Sequence, residues 1–187
     1  MKILLGKIPY IYPIPIALLG ANVAGKPNYA TVGDFGLMGI NPPLVCVSLH
    51  RDHYTTQGIL ENGTFSLNFP TTAMLQVTDY CGTFSGRSVD KSTLFDSFYG
   101  ELQTAPLIRE CPVSLECRTL QNTLIQHRQI FIADVHCAYV DDAYLVDVDG
   151  KKQIADLTHL DPILYALDNR YYSIGQPIGV GYKEAKR

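Results

Sequence analysis

The sequence has 187 residues, of which 47% are hydrophobic and 18% are charged. This length and composition fit one domain, spanning residues 1–187, with a sizeable core, and they exclude a disordered or fibrous chain. The net charge of −3 and the lack of a basic cluster argue against binding to nucleic acid.

The cysteines argue against a cross-linked or metal-bound scaffold. They are odd in number and none forms a Cys-x-x-Cys pair, a pattern that disfavours disulfide frameworks, zinc sites and thioredoxin-type motifs. The five are Cys46, Cys81, Cys111, Cys117 and Cys137. We expect Cys46, Cys117 and Cys137 to act as small core residues, since they lie in strand-like runs.

No apolar stretch reaches the length of a transmembrane helix, and prolines at 9, 13 and 15 interrupt the N-terminal apolar run. We therefore expect a cytoplasmic protein that does not associate with a membrane and has no metal site.

The first predicted hairpin runs through an apolar stretch at 16–19 and a strand at 28–32, joined by a turn around Gly25. Its second strand carries the small or polar residues Asn28, Ala30 and Thr31. A strand needed only for core packing would carry larger apolar side chains, so this strand leaves room for a flat ligand against its backbone.

The next predicted strand covers 44–49, where a nearly continuous apolar run indicates burial on both faces. A polar turn follows, and then a short helix at 57–61 that Asn62-Gly63 ends. Arg51, Thr55, Thr56 and the first helical N–H groups form a candidate anion site. A charged turn in solvent would explain the same residues.

A third polar segment lies between 79 and 91, after an alternating strand at 64–69 and a helix whose cap is Thr71 or Thr72. It combines glycines and hydroxyls with Arg87 and Lys91. Glycine lets a ligand approach the backbone, and the hydroxyls and cations can bind phosphate oxygens. A solvated loop is the alternative interpretation.

The second half of the chain is predicted to be mostly strand. Long alternating runs cover 113–124 and 129–140, a return strand covers 143–148, and a weakly helical tail and a closing segment at 171–182 follow. Residues 183–187 are expected to fray. At least six strands with short loops and two inserted helices predict a mainly β protein, a closed or split antiparallel barrel.

Several motifs together resemble the flavin reductase-like family with the FMN-binding split barrel, of the flavoredoxin type. Their order and spacing carry the resemblance, which spans nearly the whole chain. The motifs are GKPNYAT at 25–31, NPPLVCVSL at 41–49, Tyr54-Thr55, GTFSLN at 63–68, CGTFSGRSVDK at 81–91, ECPVSLEC at 110–117 and YYSIG at 171–175.

The resemblance implies a six-stranded antiparallel split barrel that binds FMN as a homodimer, with the flavin near the subunit interface. By analogy, three segments would surround the ring, the ribityl chain and the phosphate. Their residues are Asn28, Ala30, Thr31 and Val32, then Ser48, Leu49, Arg51, Tyr54 and Thr55, then Ser85, Gly86, Arg87 and Lys91. Family members often carry a Gly-Asp-His-type turn where this chain has residues 126–129, so we assign no catalytic role to His127. The sequence indicates no acid, base or nucleophile that the reaction would need, and we assign no catalytic residue.

The implied function is electron transfer through FMN, and three versions of it stay open. The protein is either a reductase that takes hydride from NAD(P)H, a module that receives electrons from a redox protein partner, or a flavin-binding protein without turnover. A split barrel of the pyridoxamine phosphate oxidase type fits the motifs less well.

Overall fold

The computed structural model describes residues 1–183. The strands are β1 Ile14–Pro15, β2 Ala17–Val23, β3 Lys26–Val32, β4 Phe35–Ile40, β5 Pro43–His50, β6 Thr64–Phe69, β7 Ser97–Phe98, β8 Leu107–Ile108, β9 Val113–Ile125, β10 Arg128–Val140, β11 Leu145–Val148, β12 Lys151–Ile154, β13 Leu164–Ala166 and β14 Arg170–Tyr172. The α-helices are α1 Tyr54–Asn62, α2 Leu75–Thr83 and α3 Leu157–Leu160, and 3-10 turns cover Thr72–Met74 and Asp142–Tyr144. Of the residues expected to fray, 184–187 lie outside the described part.

The main sheet has seven strands in the order β3-β2-β6-β9-β10-β5-β4, and all of its pairings are antiparallel. This confirms a mainly β protein with a large antiparallel sheet and short inserted helices. The sheet has one strand more than the six expected, because residues 35–40 pair with β5 despite Gly36 and Gly39. Three small sheets, β1-β13-β14, β11-β12 and β7-β8, flank it.

The main sheet is curved, and its concave face encloses the core. One buried cluster contains side chains of β2, β5, β6, β9 and β10 together with Ile59 of α1. The rings of Phe35 on β4 and Phe69 on β6 lie 6.0 Å apart, although these strands are not neighbours in the sheet. Strands from both halves of the sheet therefore bury their apolar residues against each other, as barrel closure requires.

A second buried cluster lies outside the sheet, under α2. It joins Leu18 and Tyr29 of the β2-β3 hairpin with Cys81, Phe95 and Ile108. The Tyr29 and Phe95 rings meet edge to face at 5.0 Å, and the Tyr29 hydroxyl bonds Ser97 Oγ at 2.6 Å. This cluster fixes α2 and the segment after it against the edge strand β3.

Several local predictions differ from the structure. Strand β5 alternates between buried and half-buried residues, because its outer face is not covered by another layer of the described chain. Helix α1 begins at Tyr54, three residues earlier than predicted, and α2 continues through Thr83, so Cys81 is helical. Cys117 is fully buried, whereas Cys46 and Cys137 are only half-buried. Within residues 1–183, no helix is both long and apolar enough to span a membrane.

A buried carboxylate organises the loop between β7 and β8. Glu116 of β9 has no exposed surface, and its oxygens accept hydrogen bonds from the backbone N–H groups of Gly100, Glu101 and Leu102 at 3.0–3.1 Å. The Tyr139 hydroxyl donates a further bond at 3.1 Å. These four hydrogen bonds offset the desolvation cost of burying the Glu116 carboxylate.

Replacing Glu116 with glutamine should lower the free energy of unfolding by about 2 kcal/mol, since the amide group is neutral and places a donor against N–H donors. Chemical denaturation of the flavin-free protein measures this. The matched control is Glu61→Gln at an exposed position on α1. Equal stability of the two variants would contradict the role given to Glu116.

Candidate functional site

The edge strand β3 and two segments distant from it in the sequence meet at one place. The turn before α1 and the first turn of that helix form one wall, and the end of α2 with the segment after it forms the other. Gly82 explains how closely α2 approaches β3, because a Cβ there would lie 3.2 Å from Thr31 Cβ. The Thr31 hydroxyl donates to the Thr78 carbonyl of α2 and fixes this contact.

These walls enclose a cavity of about 190 Å³, here called the hydroxyl cavity. Its lining residues are Ala30, Thr31, His53, Tyr54, Thr55, Cys81, Gly82, Thr83, Phe84, Ser85, Gly86 and Lys91. Asn28 Nδ2 donates to Thr55 Oγ1 at 2.8 Å, so the Thr55 hydroxyl hydrogen remains free to bind a ligand. His53 makes no side-chain cap to α1, and its carbonyl accepts the Thr56 N–H at 3.1 Å, so the helical N–H groups that precede Thr56 are the ones not bonded by His53.

Lys91 lines the hydroxyl cavity between the two walls. It is 3% exposed, and its Nζ donates to the Tyr29 carbonyl at 2.9 Å and to the Cys81 carbonyl at 2.8 Å. An ammonium has three donors, so one remains for a ligand in the cavity that Lys91 lines. Burial lowers the pKa of Lys91 and raises the pKa of the Cys81 thiol to about 11. The protonated thiol makes Cys81 a packing residue rather than a nucleophile.

Gly86 sets the width of the site. A Cβ at this position would lie 2.0 Å from Asn28 Oδ1 and 2.7 Å from Tyr54 Cδ1, distances that no side chain tolerates. The loop backbone therefore approaches the Asn28–Thr55 pair as only glycine allows. Ser85 Oγ accepts a bond from the Arg87 N–H at 3.2 Å and shapes the turn around this glycine.

A second, basic cavity of about 400 Å³ adjoins the first and shares Tyr54, Gly86 and Lys91 with it. The Arg87 guanidinium lies over the Tyr54 ring, 5.3 Å from its centroid. Lys26 pairs with Asp90 at 3.6 Å, and both side chains are exposed. This end of the site is positively charged and open to solvent.

At the opposite end, the hydroxyl cavity continues into an aromatic groove of about 350 Å³. The two spaces share Thr31, Gly82 and Thr83. The groove is lined by Ile14, Ile16, Thr31, Gly33, Asp34, Asp79, Gly82, Thr83, Tyr165, Leu167 and Tyr171. The Tyr171 hydroxyl donates to Asp79 at 2.8 Å, and burial together with this bond raises the pKa of Tyr171 to about 12.

Four residues of the predicted site lie outside these cavities. Val32 and Leu49 are 5% and 3% exposed and their side chains belong to the core, because alternation along β3 and β5 turns them inward. Ser48 is bound by Arg128, whose Nε lies 3.1 Å from Ser48 Oγ. Arg51 is exposed beside Asp52 and lines neither cavity. The other nine predicted residues lie together around the hydroxyl and basic cavities.

Three features of the site were missed by the sequence analysis. His53 lines the hydroxyl cavity. Arg128 pairs with Asp34 at the rim of the aromatic groove. Tyr165 and Tyr171 reach the groove from the far end of the chain. Tyr171 lies in the YYSIG motif, but no local pattern connects it, His53 or Tyr165 with the β3 edge.

We expect His53 to make the free energy of unfolding depend on pH. Partial burial, His50, Arg128 and Lys91 lower its pKa below the ordinary 6.5, and Asp52 opposes this. As pH falls through about 6.5, the unfolded chain takes up this proton before the folded one does, so the free energy of unfolding should decrease. His53→Gln should remove that part of the decrease, as measured by denaturation between pH 5 and pH 8. If the free energy of unfolding changes with pH in the same way in His53→Gln and in the unmodified protein, His53 does not contribute to the pH dependence.

Comparison with known proteins agrees with this architecture. Residues 10–166 match the family model of the flavin reductase like domain, and the chain belongs to that family. It is similar to a flavoredoxin from Methanosarcina acetivorans, with 42% identity, a TM-score of 0.92 and coverage of 98% of this chain and 97% of that one.

Two further solved structures extend the comparison. The flavoredoxin of Desulfovibrio vulgaris (Miyazaki F) is 31% identical, covers both chains completely and has a TM-score of 0.88. An FMN-binding protein from Thermus thermophilus has a TM-score of 0.78, covering 96% of this chain and 98% of its own, but its 20% identity shows the shared fold alone. The fold is thus the flavin reductase split barrel.

Proposed function

We propose that this protein is an FMN-binding electron-transfer flavoprotein of the flavoredoxin type, and that the site beside β3 holds the flavin. The single observation that carries the proposal is the convergence of three segments on the hydroxyl cavity, closed at Gly86 where a Cβ would strike Asn28. Hydroxyls, helical N–H groups and a buried ammonium suit a phosphate, and the connected aromatic groove suits a flat ring.

In this proposal each residue has a physical task. Thr55 and Lys91 donate to the phosphate oxygens, and Arg87 adds charge at the open end. Ala30 and Thr31 leave the β3 backbone accessible to the ribityl chain. Tyr165 and Tyr171 bury the apolar part of the ring, and Asp34 and Asp79 offer acceptors at the rim of the groove.

Bound FMN supplies the redox chemistry, since it accepts hydride or single electrons. Cys81 does not act as a nucleophile at the site, because its thiol is buried and its pKa is raised. The residues that we name bind and orient the cofactor. Electrons would come from NAD(P)H or from a redox protein donor, and would pass to an acceptor protein or small molecule.

We further propose that the protein works as a homodimer in the cytoplasm. Apolar side chains on the edge strand β4 support the dimer: Leu37 is 69% exposed and Ile40 is 82% exposed. Exposed apolar residues on one edge are typical of protein interfaces. Light scattering after size-exclusion chromatography should give about twice the 20.7 kDa chain mass, and a monomer mass would contradict the dimer.

A visible absorption spectrum of the FMN-reconstituted protein, recorded without oxygen before and after NADH or NADPH, tests the proposed electron source. If NADH or NADPH bleaches the flavin bands, the protein is an NAD(P)H-dependent reductase. Bands that persist with NAD(P)H but bleach with a reduced ferredoxin-type protein assign an electron carrier. A protein that takes up no FMN would overturn the proposal.

A further inference from the structure

A fourth pocket lies on the small sheet β1-β13-β14, away from the hydroxyl cavity. It has a volume of about 410 Å³ and is lined by Tyr12, Pro13, Tyr165, Ala166, Asp168 and Tyr172. We call it the tyrosine pocket. Three of its six lining residues are tyrosines and one is a carboxylate, and none of the six is basic.

The local structure explains how these side chains come together. The antiparallel pairing of β13 with β14 places Leu164 opposite Tyr172 and Tyr165 opposite Tyr171, and the connecting turn carries Asp168. Strand β1 pairs with β13, so the segment before it brings Tyr12 to the same pocket. Residues from both ends of the chain therefore build one site.

Hydrogen bonds fix two of the three tyrosines, Tyr165 and Tyr172. The Tyr172 hydroxyl donates to Asp168 Oδ2 at 2.8 Å, and the Arg170 N–H donates to Asp168 Oδ1 at 3.1 Å. The Tyr165 hydroxyl donates to Asn169 Oδ1 at 2.7 Å. Because these bonds use the hydroxyl hydrogens, the rings remain available for contact through their faces.

Two of the three rings are exposed to solvent in the described part of the chain, whereas Tyr165 is half-buried and its ring centroid lies 5.3 Å from that of Tyr171. Tyr12 is 53% exposed and Tyr172 is 45% exposed. The Asp168 carboxylate is also partly exposed, and the cation facing it is Arg170, whose Nη1 lies 3.9 Å away on a largely exposed side chain. Such a long, solvated ion pair is weak and can yield to a ligand.

The chemistry of this lining selects one class of ligand. Tyrosine faces carry negative electrostatic potential and attract cations, and sites lined by several aromatic rings recognise quaternary ammonium groups. An adjacent carboxylate strengthens cation binding and repels anions. A neutral apolar ligand would gain contact with the rings but would desolvate the carboxylate without compensation.

We propose that the tyrosine pocket binds a small organic cation of the methylated-ammonium class. The pocket shares Tyr165 with the aromatic groove, so the bound cation would lie next to the proposed flavin site. Binding itself requires no flavin, and the inference therefore stands independently of the proposed function.

Calorimetric titration of the flavin-free protein with choline tests the proposal. The comparison ligand is 3,3-dimethyl-1-butanol, which has the same shape as choline without the charge. Choline should bind at one site per chain and at least about tenfold more tightly than the neutral alcohol. Tyrosine fluorescence should change with it, since the chain has 12 tyrosines and no tryptophan.

Substitutions of residues that line the tyrosine pocket test whether choline binds there. Asp168→Asn keeps the shape and removes the charge, and Tyr172→Leu removes a ring face, so each should weaken choline binding about fivefold or more. Asp149→Asn, at an exposed carboxylate in another hairpin, is the control and should bind choline as the unmodified protein does.

Three results would overturn the proposal: no binding of choline, equal binding of choline and the neutral alcohol, or unchanged choline binding by a folded Asp168→Asn protein. If a variant fails to fold, the comparison of the two ligands on the unmodified protein still decides the question. FMN binding measured in parallel keeps this outcome separate from that of the flavin site.

Discussion

Replacing Gly86 with alanine should weaken FMN binding by about ten- to one-hundredfold, since an overpacked site costs about 1–3 kcal/mol. The added Cβ would lie 2.0 Å from Asn28 Oδ1, so either the loop or the Asn28–Thr55 hydrogen bond must move. Either movement displaces the Thr55 hydroxyl or the loop backbone from the phosphate. Fluorescence quenching of FMN during titration with the flavin-free variant measures the change.

Gly175→Ala is the matched control for this substitution. A Cβ at Gly175 would meet no atom within 4 Å, and we expect FMN affinity to be unchanged there. Circular dichroism of both variants shows whether the fold is retained. If the Gly86→Ala protein is folded and binds FMN with normal affinity, the close approach of the Gly86 loop to Asn28 is not required for FMN binding.

Replacing Lys91 with methionine should reduce the preference for FMN over riboflavin by about ten- to one-hundredfold, as expected for a hydrogen bond to a charged group. The ammonium has two donors engaged by the Tyr29 and Cys81 carbonyls and one left for the phosphate. Riboflavin lacks the phosphate, so its affinity should change little. Paired titrations with the two ligands separate loss of the phosphate contact from a general effect on folding.

Lys26→Met provides the control for charge alone. Lys26 is an exposed lysine of the basic cavity that pairs with Asp90 at 3.6 Å. Because solvent and salt screen exposed charges, its loss should alter FMN affinity by less than about threefold. Equal losses of FMN and riboflavin binding in Lys91→Met would mean that Lys91 supports the fold and does not hold phosphate.

Much of the fold follows from local sequence patterns. The alternation at 64–69 and the long runs at 113–124 and 129–140 appear as β6, β9 and β10 within a few residues. Strand β4 was missed because Gly36 and Gly39 obscure its alternation, and only pairing with β5 makes it a strand. Burial was less predictable, since the apolar run at 44–49 does not reveal that the outer face of β5 is partly exposed.

Parts of the candidate site could be predicted where a local sequence pattern indicates that the backbone must be approached closely. Small residues on β3 and the glycine-rich segment around Gly86 mark places where the backbone must be approached closely. The inward orientation of Val32 and Leu49 depends on strand register, and the exposed position of Arg51 depends on where α1 begins. Tyr165 and Tyr171 reach the site through the pairing of β13 with β1 and β14, which no local pattern indicates.

The central claim is that the hydroxyl cavity binds the phosphate of FMN. Calorimetric titration of the flavin-free protein with FMN and with riboflavin tests it most directly. We expect FMN to bind at one site per chain and at least about tenfold more tightly than riboflavin, because Thr55, Lys91 and the first turn of α1 would donate to its phosphate. Equal affinities for the two ligands, or no binding of FMN, would contradict the claim.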